Sequence, residues 1–105
     1  VTRFTPDPDL AGILPAYLDL RRREGARLLA AAALGDLETA RLVGHRMKGT
    51  GSSYGLPEIT RLGQDIEAAA LAGETARVLA LAQEAAAFVD GLEVVWEAST
   101  REDAP

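Results

Sequence analysis

The chain has 105 residues, a formal charge of −5 and no cysteine. That length supports one modest core and not two, the acidic balance opposes a nucleic-acid-binding face, and the absence of thiols excludes disulfides and cysteine-held metals. Hydrophobic residues reach 48% but aromatics only 5%, and the excess of alanine and leucine predicts an all-α fold.

A single histidine leaves too few nitrogen ligands for a zinc site made by protein alone. No apolar run approaches the roughly 20 residues that span a bilayer, and the start lacks the charged-then-apolar pattern of a signal peptide. No membrane association and a cytoplasmic location are the expectations.

The opening VTRFTPDPD reads as an extended lead-in over residues 1–8, with Asp9 as N-cap of a segment beginning at Leu10. Leu10, Ile13, Leu14, Tyr17 and Leu18 recur at helical spacing. Pro15 falls inside that pattern, which predicts a short first helix, a break at Pro15 and a longer second helix through LDLRRREGARLLAAAAL. Leu28, Leu29 and Ala32 are expected to face inward, and Arg21, Arg22 and Arg23 to form a solvated face.

Gly35-Asp36 predicts a stop and a restart, with glycine in the left-handed position and aspartate as the next N-cap. The following helix is expected from Leu37 to about Tyr54. Gly55 suits another left-handed end, Leu56 its apolar contact and Pro57 the first turn of a further helix. That helix carries Ile59, Leu62 and Ile66 and is expected to end at Gly73. The last helix is expected from Glu74–Thr75 to about Ala98, using Val78, Leu79, Ala82, Ala85, Val89, Leu92 and Trp96. Residues 99–105 form a polar tail expected to fray. Short connections between substantial helices favour antiparallel neighbours. The expected architecture is an antiparallel up-down four-helix bundle over residues 9–98 with a short extra N-terminal helix.

The chemistry concentrates in HRMKGTGSSYG, residues 45–55. At about 100° per residue, Ala40, Val43, Met47, Gly51 and Tyr54 share one side, and His45 falls roughly 150° from their centre. His45 is therefore expected on the surface, either as an idle imidazole or as a reactive one. Arg41, Lys48, Gly49 and Ser52 share its face. Glycine inside a helix costs about 1 kcal/mol relative to alanine, and at an exposed position such as Gly49 core packing does not account for it. A missing side chain there clears access to the ring, and Lys48 would suit an anionic group carried on it. Hydrolysis fits poorly: Ser52 and Ser53 have no third residue to orient a base. GTGSSYG lacks the lysine of a nucleotide-binding loop and no strand precedes it, so an ATP-binding kinase domain is not encoded.

At these residues the chain resembles the histidine-containing phosphotransfer (Hpt) domain. His45, Lys48, Gly49 and Gly55 fall at the family's motif positions, and LLAAAALGDLETARLVGH upstream and LPEITRLGQDIEAAALAGE downstream continue the likeness over residues 8–97. The resemblance implies a four-helix bundle in which His45 takes a phosphoryl group from a receiver-domain aspartyl phosphate and passes it to another receiver aspartate. Lys48 would neutralise phosphoryl oxygens and Gly49 would admit the receiver loop. No cofactor is implied in this chain, and magnesium is expected on the receiver. Partners would be response-regulator receiver domains or a hybrid histidine kinase, with the chain itself a monomer and no enzyme. Leu42 is expected to flank the histidine. By family analogy Leu10, Ile13 and Leu14 join it in docking. Arg41 and Arg46 either steer the partner or are ordinary solvated residues.

Where many members of the family carry glutamine, twenty-two residues after the histidine, this chain has Glu67, with Gln64 one turn earlier. Glu67 is either solvated or accepts a hydrogen bond from the second imidazole nitrogen, orienting the ring. Two other readings stay open: the phosphoacceptor domain of a chemotaxis-type histidine kinase, and a helical scaffold or inhibitor that carries no phosphate.

Overall fold

Proline restricts the residue before it and lacks an amide hydrogen, so it is tolerated at a helix start and disruptive further in. Pro15 obeys the first rule: in the computed structural model, which describes residues 2–96, the first long helix, α1, spans Leu14–Leu34 with Pro15 in its opening turn. The expected helix from Leu10 with a break at Pro15 is not formed. A single 3-10 turn, Pro8–Leu10, precedes α1 instead, capped by the Asp7 side chain on the Asp9 amide at 2.9 Å.

Gly35 ends α1 at φ 73°, and the Asp36 amide bonds back to the Ala31 carbonyl at 2.8 Å. This closes the helix in the left-handed fashion that glycine permits. The Asp36 carboxylate then caps α2, Leu37–Thr50, taking the Thr39 amide at 3.1 Å and the Thr39 hydroxyl at 2.6 Å. The α-helix stops four residues short of Tyr54, because Gly51 lies against the next helix. A Cβ on Gly51 would sit 2.5 Å from the Thr60 amide nitrogen. Thr60 accepts the Ser52 amide at 2.8 Å, and residues 52–54 tighten into a 3-10 turn. Gly55 turns the chain at φ 77°, Leu56 is buried, and Pro57 opens α3, Pro57–Leu71. After Gly73, α4 spans Thr75–Asp90.

Helix α4 ends eight residues before the expected Ala98. From Leu92 the chain extends as a strand, β2, Leu92–Val94, which pairs in parallel with β1, Thr2–Phe4, with Thr2 opposite Leu92 and Phe4 opposite Val94. The fold is therefore mainly helical with one two-stranded ribbon tying its ends together, not purely α. An exposed Arg3–Glu93 pair at 3.0 Å crosses the ribbon. Of the lead-in expected over residues 1–8, Thr2–Phe4 form a paired strand and Pro8 already enters the 3-10 turn, while residue 1 lies outside the described residues. The expected fraying of 99–105 lies outside the described residues.

Each helix packs on its chain neighbours and α1 also packs on α4, closing the bundle. Leu14, Leu28, Val43, Ile59, Leu62, Ile66 and Val78 are fully buried at its centre, each contributing about 1.5–3 kcal/mol through removal from water. Tyr17 and Tyr54 stack with centroids 3.7 Å apart where α1 meets the turn after α2. Leu14, expected as a docking residue, is 1% exposed and belongs to this core. Arg21 corrects the expectation of a solvated arginine face: it is 4% exposed, with its guanidinium 5.4 Å from the Tyr17 ring centroid, whereas Arg22 and Arg23 are exposed. Among the described residues no helix is long and apolar enough to cross a membrane.

Candidate functional site

The seam between α2 and α3 is set by two glycines that face each other. A Cβ at Gly44 would lie 2.9 Å from both the Gly63 carbonyl oxygen and the Glu67 amide nitrogen, and a Cβ at Gly63 would collide with the backbone of Gly44 and Lys48. With no side chain at either position the helix backbones approach closely, as interdigitating side chains would not allow. This approach brings the Glu67 side chain within reach of two residues on α2.

His45 follows Gly44 on the outer face, with its side chain 61% exposed. Its Nδ1 lies 3.0 Å from Oε2 of Glu67, and Nζ of Lys48 lies 2.7 Å from Oε1 of the same carboxylate. The Glu67 side chain is only 14% exposed. Lys48 foremost, aided by His45 and opposed by partial burial, holds its carboxyl below the usual glutamate range. An ionised carboxylate only accepts, so Nδ1 carries the hydrogen and donates it. In the neutral ring that tautomer leaves the lone pair on Nε2, which meets no protein partner among the described residues. The alternative of a merely solvated Glu67 is thereby set aside.

The other predicted site residues divide into those gathered here and those used elsewhere. Gly49 is exposed, and a Cβ added to it would meet nothing within 4 Å. Its lack of a side chain serves no packing. Leu42 is 36% and Ile13 51% exposed, while Leu10 is half-buried against the core. Arg41 is held by Glu38 at 2.7 Å, and Arg46 by Glu24 of α1 at 2.7 Å. Ser52 is committed to Thr60, hydroxyl to hydroxyl at 3.1 Å. Gln64 is exposed, with no side-chain hydrogen bond among the described residues.

An exposed imidazole buttressed at Nδ1, beside a lysine and a bare glycine on a helical bundle, is the arrangement expected for phosphoryl carriage. The family model of the Hpt domain matches residues 14–98. The chain belongs to the Hpt domain family. Hpt domains are histidine phosphotransfer modules of two-component phosphorelays, phosphocarriers rather than enzymes, and they interact with receiver domains and histidine kinases. No match was found among curated proteins or among solved structures.

The sequence reading passed over Gly63 and left Gly44 unassigned, although together they build the seam of this Hpt domain. The signal was present: an isolated glycine inside each of two consecutive helical patterns points to close backbone approach. Glu24 was also missed. It gathers Arg46 at 2.7 Å, Arg27 at 3.6 Å and Arg21 at 4.0 Å and so fixes α2 against α1.

Proposed function

We propose that this Hpt domain accepts a phosphoryl group at Nε2 of His45 from the aspartyl phosphate of one receiver domain and passes it to the aspartate of another. The observation that carries the reading is the Nδ1 contact with Glu67, which turns the nucleophilic lone pair outward. In the forward step the Nε2 lone pair attacks phosphorus, the N–P bond forms, and the acyl P–O bond breaks with its electrons leaving on the aspartate carboxylate. No proton has to move, because Nδ1 keeps its hydrogen throughout. The ring becomes cationic on phosphorylation, and the Glu67 carboxylate stabilises that charge.

Lys48 neutralises the phosphoryl oxygens once it leaves Glu67, and Gly49 leaves room for the receiver loop. Leu42, Ile13 and Leu10 supply the apolar docking surface, with Arg41 and Arg46 on its charged rim. The receiver brings the magnesium ion and most of the transition-state stabilisation. The unit acts as a cytoplasmic monomer on an up-down bundle of antiparallel helices over residues 9–98, and it has no kinase or phosphatase activity of its own.

The carboxylate at position 67 also favours a second reading, a phosphoacceptor fed by the ATP-binding domain of a chemotaxis-type kinase. An acyl phosphate is already activated, whereas ATP is a weaker donor toward imidazole, and a ring whose developing positive charge is stabilised by a carboxylate suits it. One labelling experiment separates the readings. Phosphate from a phosphorylated receiver should appear on the protein as an acid-labile, base-stable adduct and vanish in His45→Gln. Labelling by a kinase domain and ATP alone would select the second reading, labelling by neither would leave the scaffold, and equal labelling of His45→Gln would overturn both transfer schemes.

A further inference from the structure

Neighbouring side chains of α2 diverge to its two flanks. His45 leans on Glu67 of α3, whereas Arg46 reaches Glu24 of α1, Nε to Oε1 at 2.7 Å. Glu24 is itself fixed: its side chain is 12% exposed, and Arg27 stands 3.6 Å and Arg21 4.0 Å from its carboxylate. The Arg46 backbone is held as well. Its carbonyl accepts the Thr50 hydroxyl at 2.9 Å, and Thr50 meets the Tyr17 hydroxyl of α1 at 2.9 Å. A long side chain loses rotamer freedom when it binds a partner, and one already fixed through Nε has less to lose.

The bond to Glu24 occupies only Nε. Neither terminal amino group of Arg46 makes a hydrogen bond among the described residues, and the side chain is 44% exposed. Arg41, the other arginine beside His45, is arranged differently. Its Nε and one terminal nitrogen grip both oxygens of Glu38, at 3.1 and 2.7 Å, and a guanidinium paired in this bidentate way offers little to a second carboxylate. Two exposed leucines share the flank of Arg46. Leu42 precedes it by one turn, and Leu20 falls between Tyr17 and Glu24, the two α1 residues that bond to α2. An arginine with an open outer edge beside exposed leucines has the composition of an interface, where arginine is enriched.

We infer that Arg46 is the residue through which this domain selects its receiver, pairing its open guanidinium edge with a carboxylate on the receiver surface, and that Glu24 is the positioning residue that holds the fork. The inference rests on the receiver reading of His45 and adds the chemistry of the partner, an acidic side chain set beside an apolar patch. Arg41, already neutralised by Glu38, contributes only general charge.

Single-turnover transfer from a phosphorylated receiver that labels His45, run across receiver concentrations on variants with unaltered circular dichroism, tests it. Arg46→Gln should raise the half-saturating receiver concentration about 10-fold, the scale of one hydrogen bond to a charged group. The rate at saturation should change little, and the dependence on salt should flatten. Arg41→Gln should raise the same concentration only about twofold, as exposed charges do. Glu24→Gln should raise it although a negative charge is removed, and should add nothing in the Arg46→Gln background. A fall in Glu24→Gln would mean that the carboxylate masks Arg46, and additive effects would mean a structural role alone; either overturns the positioning. Equal effects of Arg46→Gln and Arg41→Gln overturn the selection. Should Glu24→Gln fail to fold, Arg46→Lys decides, because lysine keeps the charge without the fork: it should bind as poorly as Arg46→Gln, and retained affinity would overturn the proposal. Failure of every receiver to label the unaltered protein removes the phosphotransfer reading and this inference together, whereas labelling with unchanged half-saturation in Arg46→Gln removes the inference alone.

Discussion

Nδ1 of His45 lies 3.0 Å from Oε2 of Glu67, across the closest part of the seam between α2 and α3. The carboxylate selects the tautomer and orients the ring, but its negative charge on the Nδ1 side would also repel a phosphoryl group carried on Nε2. These two effects pull in opposite directions on the phosphorylated state.

Glu67→Gln separates them. Glutamine can still accept the Nδ1 hydrogen through its amide oxygen, while it no longer repels the phosphoryl group or holds Lys48. The phosphohistidine of Glu67→Gln should therefore survive longer than that of the unaltered domain, and an unchanged dephosphorylation rate would refute this role. Glu67→Leu removes the acceptor as well. Imidazole nitrogen chemical shifts should then show the preference for Nδ1–H lost, and phosphorylation should slow by about 10–100-fold, the range seen when partners that orient functional histidines are removed.

Lys48 is bound to Glu67 at 2.7 Å in the resting structure, with its side chain still 41% exposed. To neutralise a phosphoryl group as proposed, it would have to release the carboxylate, so its benefit would arise mainly after transfer begins. Lys48→Met should slow acquisition of label by about 10-fold, short of the 100–1000-fold effect of a rigid, buried oxyanion donor. Single-turnover transfer from a phosphorylated receiver gives the number. The same substitution removes the foremost cause of the lowered Glu67 pKa, so the Glu67 carboxyl carbon should titrate at higher pH in Lys48→Met, read by NMR.

Three glycines on these helices should respond differently to alanine. At Gly44 and Gly63 the new methyl meets the backbone of the facing helix, and overpacking of this kind costs about 1–3 kcal/mol. Both variants should melt lower, and both should weaken the Nδ1 contact by separating α2 from α3. At Gly49 the methyl enters open space, so Gly49→Ala should gain up to about 1 kcal/mol of stability from helix propensity. If Gly49 serves receiver access, that more stable variant should nevertheless transfer phosphate more slowly. Equal or faster transfer would reduce Gly49 to an incidental surface residue.

Signals confined to a few neighbouring residues were legible in the sequence. Gly35-Asp36 and Gly55-Leu56-Pro57 end and start helices as read, because left-handed glycine and a side-chain cap are local physics. The exposure of His45 followed from the helical period alone. Pro15 was misplaced because the spacing of Leu10 to Leu18 runs unbroken across a 3-10 turn into a true helix. The ribbon of Thr2–Phe4 with Leu92–Val94 was hidden, since three-residue strands have no period to read and their pairing spans nearly the whole chain. Arg21 follows Tyr17 and Leu18 by one turn on the core face, but three consecutive arginines read as solvent before they read as a face. The Glu67 contact was one of two readings open in the sequence, and deciding between them needed the meeting of Gly44 with Gly63, a relation between helices that neither helix encodes by itself.

Glu24 offers a test of the scaffold behind the site. Burial raises its pKa, but the Arg46 hydrogen bond and the fields of Arg46, Arg21 and Arg27 outweigh it, leaving the folded value below the ordinary one. A carboxyl with a lowered folded pKa contributes stability that is complete above its unfolded value of about 4.3 and is lost as pH falls through the folded value. Glu24→Gln lacks that contribution at every pH and leaves Arg21 without its nearest carboxylate. At neutral pH it should be destabilised by about 2 kcal/mol, the scale of a hydrogen bond to a charged group. On acidification below the usual glutamate range the unaltered domain should lose its advantage, and the two denaturation midpoints should converge. A gap that stays constant from neutral to strongly acid pH would show that Glu24 acts through packing rather than charge.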